Sequence, residues 1–164
     1  MSNFFTPGKS TASLRRVRPT DRDFILDASR VFEKFGPYVE IINGWLTDPW
    51  IEVMVLETDG TKTGFIFLGP LFPSYFRATV DVMAIYVRPE ARGKGLAKRM
   101  LRWAEARALA AGYLTLRAHV GCENEPALSL FKSTGFKVIK KIENYYPSGL
   151  AAYELRKRLL KENE

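Results

Sequence analysis

The spacing of hydrophobic positions along this chain alternates between the period typical of β-strands and the period typical of α-helices. Each change of period marks the boundary of a predicted element. Thr79–Val87 is apolar or β-branched on both faces, which is typical of an interior strand in a sheet covered on both sides. Pro89 cannot donate to a strand ladder, and apolar side chains recur at helical spacing from Leu96 to Ala111. The pattern predicts a strand, a turn and then a helix that ends at Gly112.

The same two periods predict the remaining elements of an α+β chain. One helix is expected to begin at a Thr20-Asp21 cap and to extend, with one apolar face, as far as Phe35. A second helix is expected from Tyr38 to Leu46. A third, short helix follows Asn124. The predicted strands are Leu14–Arg18, Ile51–Glu57, Thr63–Leu68, Leu114–Val120, Phe136–Tyr145 and about residues 151–156, with turns around Asp59-Gly60 and Pro147-Ser148-Gly149.

Length and composition indicate one globular domain. With 164 residues, 46% hydrophobic and 26% charged, the chain can bury one core, so we expect a flexible tail at residues 1–13 and a single domain at 14–164. One cysteine and one histidine leave no internal disulfide and no metal cluster, so no metal is expected. The longest uncharged run, residues 63–76, is too short and too broken to cross a membrane, and no apolar leader is visible. A cytoplasmic location is expected.

Two glycines, Gly93 and Gly95, stand just before the helix that begins at Leu96. At a helix N-terminus, unpaired N–H groups and the positive end of the dipole favour an anion, and glycine lets that anion approach the main chain. The segment therefore predicts a phosphate cradle; an ordinary strand-to-helix turn, which also favours glycine, is the alternative. Lys98 stands where the dinucleotide-binding pattern G-x-G-x-x-G has its last glycine, so a Rossmann site is disfavoured.

A second motif, made of Asn124, Ala127, Phe131, Gly135 and Phe136, follows the cradle by about thirty residues. Together the two motifs resemble those of the GNAT acetyltransferase superfamily, and the resemblance covers about residues 14–158. It implies a three-layer α+β fold with a mixed, mostly antiparallel, twisted sheet that splays between two central parallel strands and is flanked by helices. The pyrophosphate-loop pattern Q/R-x-x-G-x-G/A is matched by Arg92, Gly95 and Ala97, and the pattern N-x-x-A…aromatic-x-x-x-G-F by Asn124, Ala127, Phe131, Gly135 and Phe136.

The resemblance also implies acetyl-CoA as the acetyl donor. Its pantetheine arm is expected beside Ile85 and Val87, and Asn124 is expected to bond the cofactor in addition to capping its own helix. The pyrophosphate is expected on the backbone amides of Arg92, Gly93, Lys94, Gly95, Leu96 and Ala97.

Phe131 is a departure from the family pattern at the cofactor site. Many relatives carry a tyrosine here that protonates the departing thiolate, which phenylalanine cannot do. Another hydroxyl or solvent has to replace it, and the candidate hydroxyls are those of Tyr145, Tyr146 and Tyr86.

The net charge of +7 is concentrated around the cradle and its helix. The phosphates of coenzyme A account for this charge, as would a nucleic acid or a solvated helix face. Among these basic residues only Trp103 is aromatic, so nucleic-acid binding is disfavoured. The basic residues are Arg88, Arg92, Lys94, Lys98, Arg99, Arg102 and Arg107.

Acetyl transfer to an amine needs a group that takes the amine's proton, and two residues are candidates. Asp81 lies in the most apolar strand, where superfamily members place a glutamate used as a base or to hold water. His119 has an imidazole suited to proton abstraction near pH 7 and precedes Asn124 by five residues, an offset filled by Glu or His in N-terminal acetyltransferases. A structural role is the alternative for each residue, and the choice between them stays open.

Residues 143–147, Glu-Asn-Tyr-Tyr-Pro, resemble the N-Y-Y segment of N-terminal and ribosomal-protein alanine acetyltransferases. This resemblance implies that Tyr145 and Tyr146 bind the first residues of the acceptor, with Tyr146 also a catalytic candidate, and that Tyr38 lies in the facing wall. The alternative is that the paired tyrosines lie on opposite faces of a strand.

Together these patterns predict an acetyl-CoA-dependent N-acetyltransferase that transfers the acetyl group directly, most simply to the α-amine of a protein or peptide. An α-amine is the easier acceptor because its pKa is about 8, against about 10 for lysine. The alternatives are a small amine, such as a polyamine, an amino acid or an antibiotic, and a catalytically silent module that binds coenzyme A. No membrane partner is expected, and a homodimer is one candidate assembly among states that the sequence does not distinguish.

Overall fold

The computed structural model describes residues 11–73 and 79–160, so residues 1–10 of the predicted tail and residues 161–164 of the predicted domain lie outside the described residues. Seven strands form one sheet in the order β1-β2-β3-β4-β5-β7-β6. The strands are β1 (Ala12–Arg16), β2 (Glu52–Thr58), β3 (Thr61–Gly69), β4 (Thr79–Val87), β5 (Thr115–Gly121), β6 (Lys137–Ile142) and β7 (Ala152–Arg158).

The sheet is antiparallel except at its centre. Strands β1 to β4 form an antiparallel meander, and β5, β7 and β6 form a second antiparallel group. The parallel pairing of β4 with β5 covers only Thr79–Asp81 against Thr115–Arg117. Beyond Asp81 the two strands diverge, so the predicted mixed sheet that splays between two parallel strands is confirmed.

Four α-helices cover the two faces of the sheet: α1 (Arg22–Ala28), α2 (Tyr38–Trp45), α3 (Leu96–Ala110) and α4 (Glu125–Ser133). On one face, Met100 and Leu101 of α3 pack with Leu116 and other buried residues of the sheet. On the other face, Ile25 of α1 and Ile42 of α2 pack against the phenylalanines of β3. The three-layer α+β architecture is therefore as predicted, and β4 contributes residues to the cores on both faces of the sheet.

The first predicted helix begins after Asp21 as predicted, but it is shorter than predicted and lacks a side-chain capping bond. Helix α1 ends at Ala28, and a 3-10 helix continues over Ser29–Phe35. Asp21 does not cap α1: its fully buried carboxylate instead accepts from Arg15 at 2.7 and 2.9 Å and contacts Lys62 at 2.9 Å. Two cations satisfy a buried carboxylate better than helix amides alone, so tertiary pairing overrides the local capping signal.

Several predicted strand boundaries also differ, those of β1 and β6 among them. Strand β1 begins at Ala12, which pairs with Thr58, two residues before the predicted start. Strand β6 ends at Ile142 because Asn144 adopts a left-handed conformation (φ 50°) in the turn that follows, so the prediction of a strand as far as Tyr145 was wrong. No helix in the described part of the chain is long and apolar enough to cross a membrane.

Candidate active site

The turn between β4 and α3 forms the predicted cradle. Gly93 and Gly95 have φ values of 78° and 76°, which L side chains rarely adopt, and Gly95 is the N-cap of α3. The first hydrogen bond of the helix runs from the N–H of Arg99 to the carbonyl of Gly95, at 3.0 Å. The amides of residues 96–98 therefore lack an intrahelical carbonyl partner and can donate to an anion.

The space around the cradle fits a pyrophosphate. A Cβ added to Gly93 or Gly95 meets nothing within 4 Å, so the main chain lies open there. The side chain of Arg92 is turned back, because its Nε donates to the carbonyl of Val87 at 2.9 Å. This bond ties the turn to the end of β4, which leaves the backbone of the cradle as its anion-binding surface.

A cavity of about 470 Å³ runs from the cradle along the open side of β4. Ile85 and Val87 line it, as does Asn124, whose side chain accepts from the N–H of Ala127 at 3.3 Å and so caps α4 as predicted. Arg92, Gly93, Gly95, Leu96 and Ala97 also line this cavity, so the structure brings together most of the residues predicted to hold the cofactor. Of the other two, Lys94 is not among the lining residues, and Phe131 lines the neighbouring cavity.

A second cavity, of about 280 Å³, lies next to the first. The two share Ile85, Asn124 and Ala127 in their linings, so they meet where β4 and β5 diverge. The second cavity is walled by aromatic and polar side chains from α2, the sheet and the loop after β6. These include the predicted Tyr38, Asp81, His119, Tyr145 and Tyr146, together with Phe35, Trp45 and Arg117.

His119 projects from β5 into this second cavity. Its Nε2 lies 3.2 Å from Oε1 of Glu154, and its ring stacks on that of Tyr145 with centroids 4.4 Å apart and planes 15° apart. Burial lowers the pKa of His119 below its ordinary value of 6.5, and the carboxylates of Asp81 and Glu154 offset this only in part. The imidazole is therefore neutral at pH 7 and able to accept a proton.

Asp81 reaches the same cavity, but its carboxylate is already engaged. Arg117 donates to it through Nε at 2.7 Å and through Nη2 at 2.9 Å. The carboxylate raises the pKa of Arg117 above its ordinary value. Because two N–H groups of Arg117 occupy this carboxylate, the geometry favours His119 over Asp81 for proton abstraction.

The paired tyrosines lie in the loop after β6, and both line the second cavity. The alternative of opposite faces of a strand is therefore wrong. The hydroxyl of Tyr146 donates to the carbonyl of His119 at 3.4 Å, and its ring packs against Phe35 with centroids 4.4 Å apart. Burial raises the pKa of Tyr146 far above its ordinary value and also raises that of Tyr145, so both phenols stay protonated.

Phe131 lies where the cavities meet α4, buried edge-on against Phe136 with centroids 5.0 Å apart. Of the hydroxyls that could stand in for its missing phenol, Tyr145 and Tyr146 line the same cavity as Phe131. The ring of Tyr86 stacks on that of Phe65 with centroids 5.4 Å apart, and Tyr86 lines the first cavity instead. No three His, Cys, Asp or Glu side chains of residues 11–73 and 79–160 come together as metal ligands.

Sequence reasoning did not single out four residues in or beside the second cavity: Phe35, Trp45, Arg117 and Glu154. A signal existed for Arg117, because it lies two positions before His119 in a strand and so points to the same face. Glu154 was visible only as a single acid in a strand that otherwise carries apolar and basic residues. No pattern in residues 35–49 marks Phe35 or Trp45 as cavity residues.

A family model described as the acetyltransferase (GNAT) family matches residues 21–136. The chain belongs to this family. Over 88 residues it is 34% identical to the L-amino acid N-acyltransferase MnaT of Escherichia coli strain K12, a match that covers 52% of this chain and 50% of that protein. The chain thus spans about half the length of this curated relative.

Solved structures agree on the fold. The ribosomal-protein-S18-alanine N-acetyltransferase of Escherichia coli superposes with a TM-score of 0.76 at 18% identity, over 94% of this chain and 97% of that one. The protein yncA of Salmonella typhimurium, solved with its cofactor acetyl-CoA, gives a TM-score of 0.70 at 20% identity, over 94% and 98%. At such identities the likeness establishes a shared fold.

Proposed function

We propose that this protein transfers the acetyl group of acetyl-CoA directly to an α-amine, with the N-terminus of a peptide or protein as the first-choice acceptor. One observation carries the proposal. A neutral histidine, His119, lies in the aromatic second cavity, which meets the first cavity, the one beside the cradle, where β4 and β5 diverge. A base and an acceptor site are thereby adjacent to the predicted donor site.

Each chemical demand of the transfer has a candidate group in this chain. Bound acetyl-CoA supplies an acetyl group activated as a thioester. The cradle amides hold its phosphates, and the edge of β4 beyond Asp81, which β5 leaves unpaired, orients its arm. His119 accepts the proton of the acceptor amine, and the protonated phenol of Tyr145 acts as a hydrogen-bond donor in the same cavity, whereas the hydroxyl proton of Tyr146 is engaged with the carbonyl of His119.

The charge of the acceptor cavity supports an α-amine over a polyamine. Asp81 is the only carboxylate among the described residues that line it, and Arg117 already neutralises that charge. A polyamine keeps further ammonium groups that need acidic partners, which this cavity does not offer among those residues. An α-amine also loses its proton more readily than a lysine side chain, by about two pKa units.

A free amino acid is a second candidate acceptor, because Arg117 faces the cavity and uses only Nε and Nη2 on Asp81. Its Nη1 can donate to a carboxylate, as the α-carboxylate of an amino acid requires. The name of the similar protein MnaT, an L-amino acid N-acyltransferase, agrees with this option. The proposed base and donor site are the same for both acceptors.

The experiment is release of coenzyme A thiol from acetyl-CoA with three acceptor panels: peptides with varied N-termini, free amino acids, and polyamines. We expect turnover of peptides, with His119→Ala as the inactive control that still binds acetyl-CoA. Turnover of amino acids alone would indicate that the acceptor is a free amino acid and not a peptide. Turnover of polyamines alone would contradict the argument from charge, and binding of coenzyme A without any turnover would indicate a silent module.

A further inference from the structure

Glu154 is a buried carboxylate directly behind the proposed base. It faces His119 across the β5–β7 ladder, and only 4% of its surface is exposed. Its Oε1 lies 3.2 Å from Nε2 of His119, and its Oε2 accepts from Nε of Arg156 at 3.1 Å. Both oxygens of the buried acid therefore have a nitrogen partner.

The ionisation of Glu154 decides which atom carries the proton in its contact with His119. Burial alone favours the neutral acid, but Arg156 and the hydrogen bonds from Arg156 and His119 hold the pKa of Glu154 below its ordinary value of 4.5. An ionised carboxylate has no proton to donate, so at neutral pH the 3.2 Å contact is Nε2–H of His119 donating to Oε1. The lone pair of the neutral imidazole then lies on Nδ1.

We propose that Glu154 is a positioning residue that fixes His119 in the tautomer with its proton on Nε2 and its basic lone pair on Nδ1. The inference rests on the proposed function, in which His119 accepts the amine proton. Stacking on Tyr145 fixes the plane of the ring, and Glu154 fixes its tautomer. A base that is held in one tautomer need not rotate or exchange protons before each turnover.

The charged groups around His119 give the direction of the test. Asp81 of β4 pairs with Arg117 of β5, and Glu154 pairs with Arg156 of β7. Lys140 of β6 lies opposite Glu154, and the neutral phenols of Tyr38, Tyr145 and Tyr146 line the same cavity. Removal of the Glu154 charge leaves positive groups in excess, so the imidazole must bind its proton less tightly. Removal of the Arg156 charge has the opposite effect.

The chain contains a single histidine, so imidazole nitrogen NMR of the ¹⁵N-labelled full chain reports on His119 alone. In the wild type we expect Nε2–H as the dominant neutral tautomer. His119 and Arg156 contact different oxygens of Glu154, and in Glu154→Gln the amide has an oxygen at only one of these two positions, which the charged Arg156 keeps. The amide NH₂ then faces Nε2, so the Nδ1–H tautomer appears and the titration midpoint falls by about half to one pH unit.

Two further variants separate positioning from a merely structural role. Arg156→Gln, at a partly exposed site, is expected to raise the midpoint, opposite to Glu154→Gln. Glu105→Gln removes a carboxylate of α3 that pairs with Lys157 away from the cavities, and it is expected to change neither the midpoint nor the tautomer. For Glu154→Gln we expect kcat to fall roughly tenfold with unchanged affinity for acetyl-CoA.

A wild-type imidazole protonated mainly on Nδ1 would overturn the inference, as would midpoints that move in the same direction in both β7 variants. If Glu154→Gln fails to fold, the midpoint of Arg156→Gln remains decisive. A wild type that acetylates no amine contradicts the proposed function, whereas the tautomer and the midpoints still test what Glu154 does. The two failures are therefore distinguishable.

Discussion

Substitution of Gly95 by alanine tests the phosphate cradle most sharply. Gly95 has φ 76° and ψ 13°, a left-handed conformation that costs an L side chain about 1–2 kcal/mol. The added Cβ meets no atom within 4 Å, so no clash adds to this strain in the free protein. We therefore expect Gly95→Ala to lower the free energy of unfolding by about 1–2 kcal/mol and no more.

Coenzyme A binding is expected to suffer separately, because the methyl group occupies the open space that a phosphate must enter. A loss of one close amide contact, about 1.4 kcal/mol, weakens binding about tenfold. Isothermal titration calorimetry with coenzyme A measures this loss, and urea unfolding measures the stability.

The chain offers a matched control in the β2–β3 turn. Gly60 has φ 79°, and its added Cβ also meets nothing within 4 Å, so Gly60→Ala carries the same strain far from the cradle. We expect equal destabilisation by both variants and weaker coenzyme A binding only in Gly95→Ala. Equal affinities for coenzyme A in the two variants would refute the cradle.

Three further predictions follow from the site and the core. His119→Gln is expected to lower kcat about a hundredfold or more with unchanged affinity for acetyl-CoA, measured by thiol release and calorimetry. Because burial lowers the pKa of His119 below 6.5, kcat/KM of the wild type should show an ionisation below pH 6.5 that His119→Gln lacks; a wild-type profile without it would contradict the assignment of the base. Asp21→Asn is expected to destabilise the fold by about 3 kcal/mol in urea unfolding, since two buried cation contacts lose their partner. Hydrogen bonds from Arg15 outweigh burial and lower the pKa of Asp21, so its contribution is complete above about pH 4 and declines as the pH falls further; a stability difference that persists unchanged at pH 2 would contradict this.

The unit formed by strand β4, the cradle and helix α3 was predictable because the sequence signals for it are local. The β-branched run of β4, the positive-φ glycines and the apolar stripe of α3 each lie within a few residues of the feature that they encode. The cap of α4 by Asn124 was predictable for the same reason. These elements form the frame of the cofactor cavity.

The partners of the proposed base were not predictable. Glu154 follows His119 by 35 residues, and Asp81 precedes Arg117 by 36, so both contacts depend on the register between strands that are distant in the chain. The prediction of where β6 ends was wrong for a different reason. Val138 and Ile139 favour a strand, and only the left-handed turn at Asn144 directs the following tyrosines into the cavity.

A single peptide that carries both a free N-terminus and an internal lysine tests the central claim most directly. After incubation with the protein and acetyl-CoA, tandem mass spectrometry locates the acetyl group. We predict one acetyl group on the α-amine, its formation abolished in His119→Gln. An acetyl group on the lysine, or equal acetylation by His119→Gln, would contradict direct transfer to an α-amine with His119 as the base.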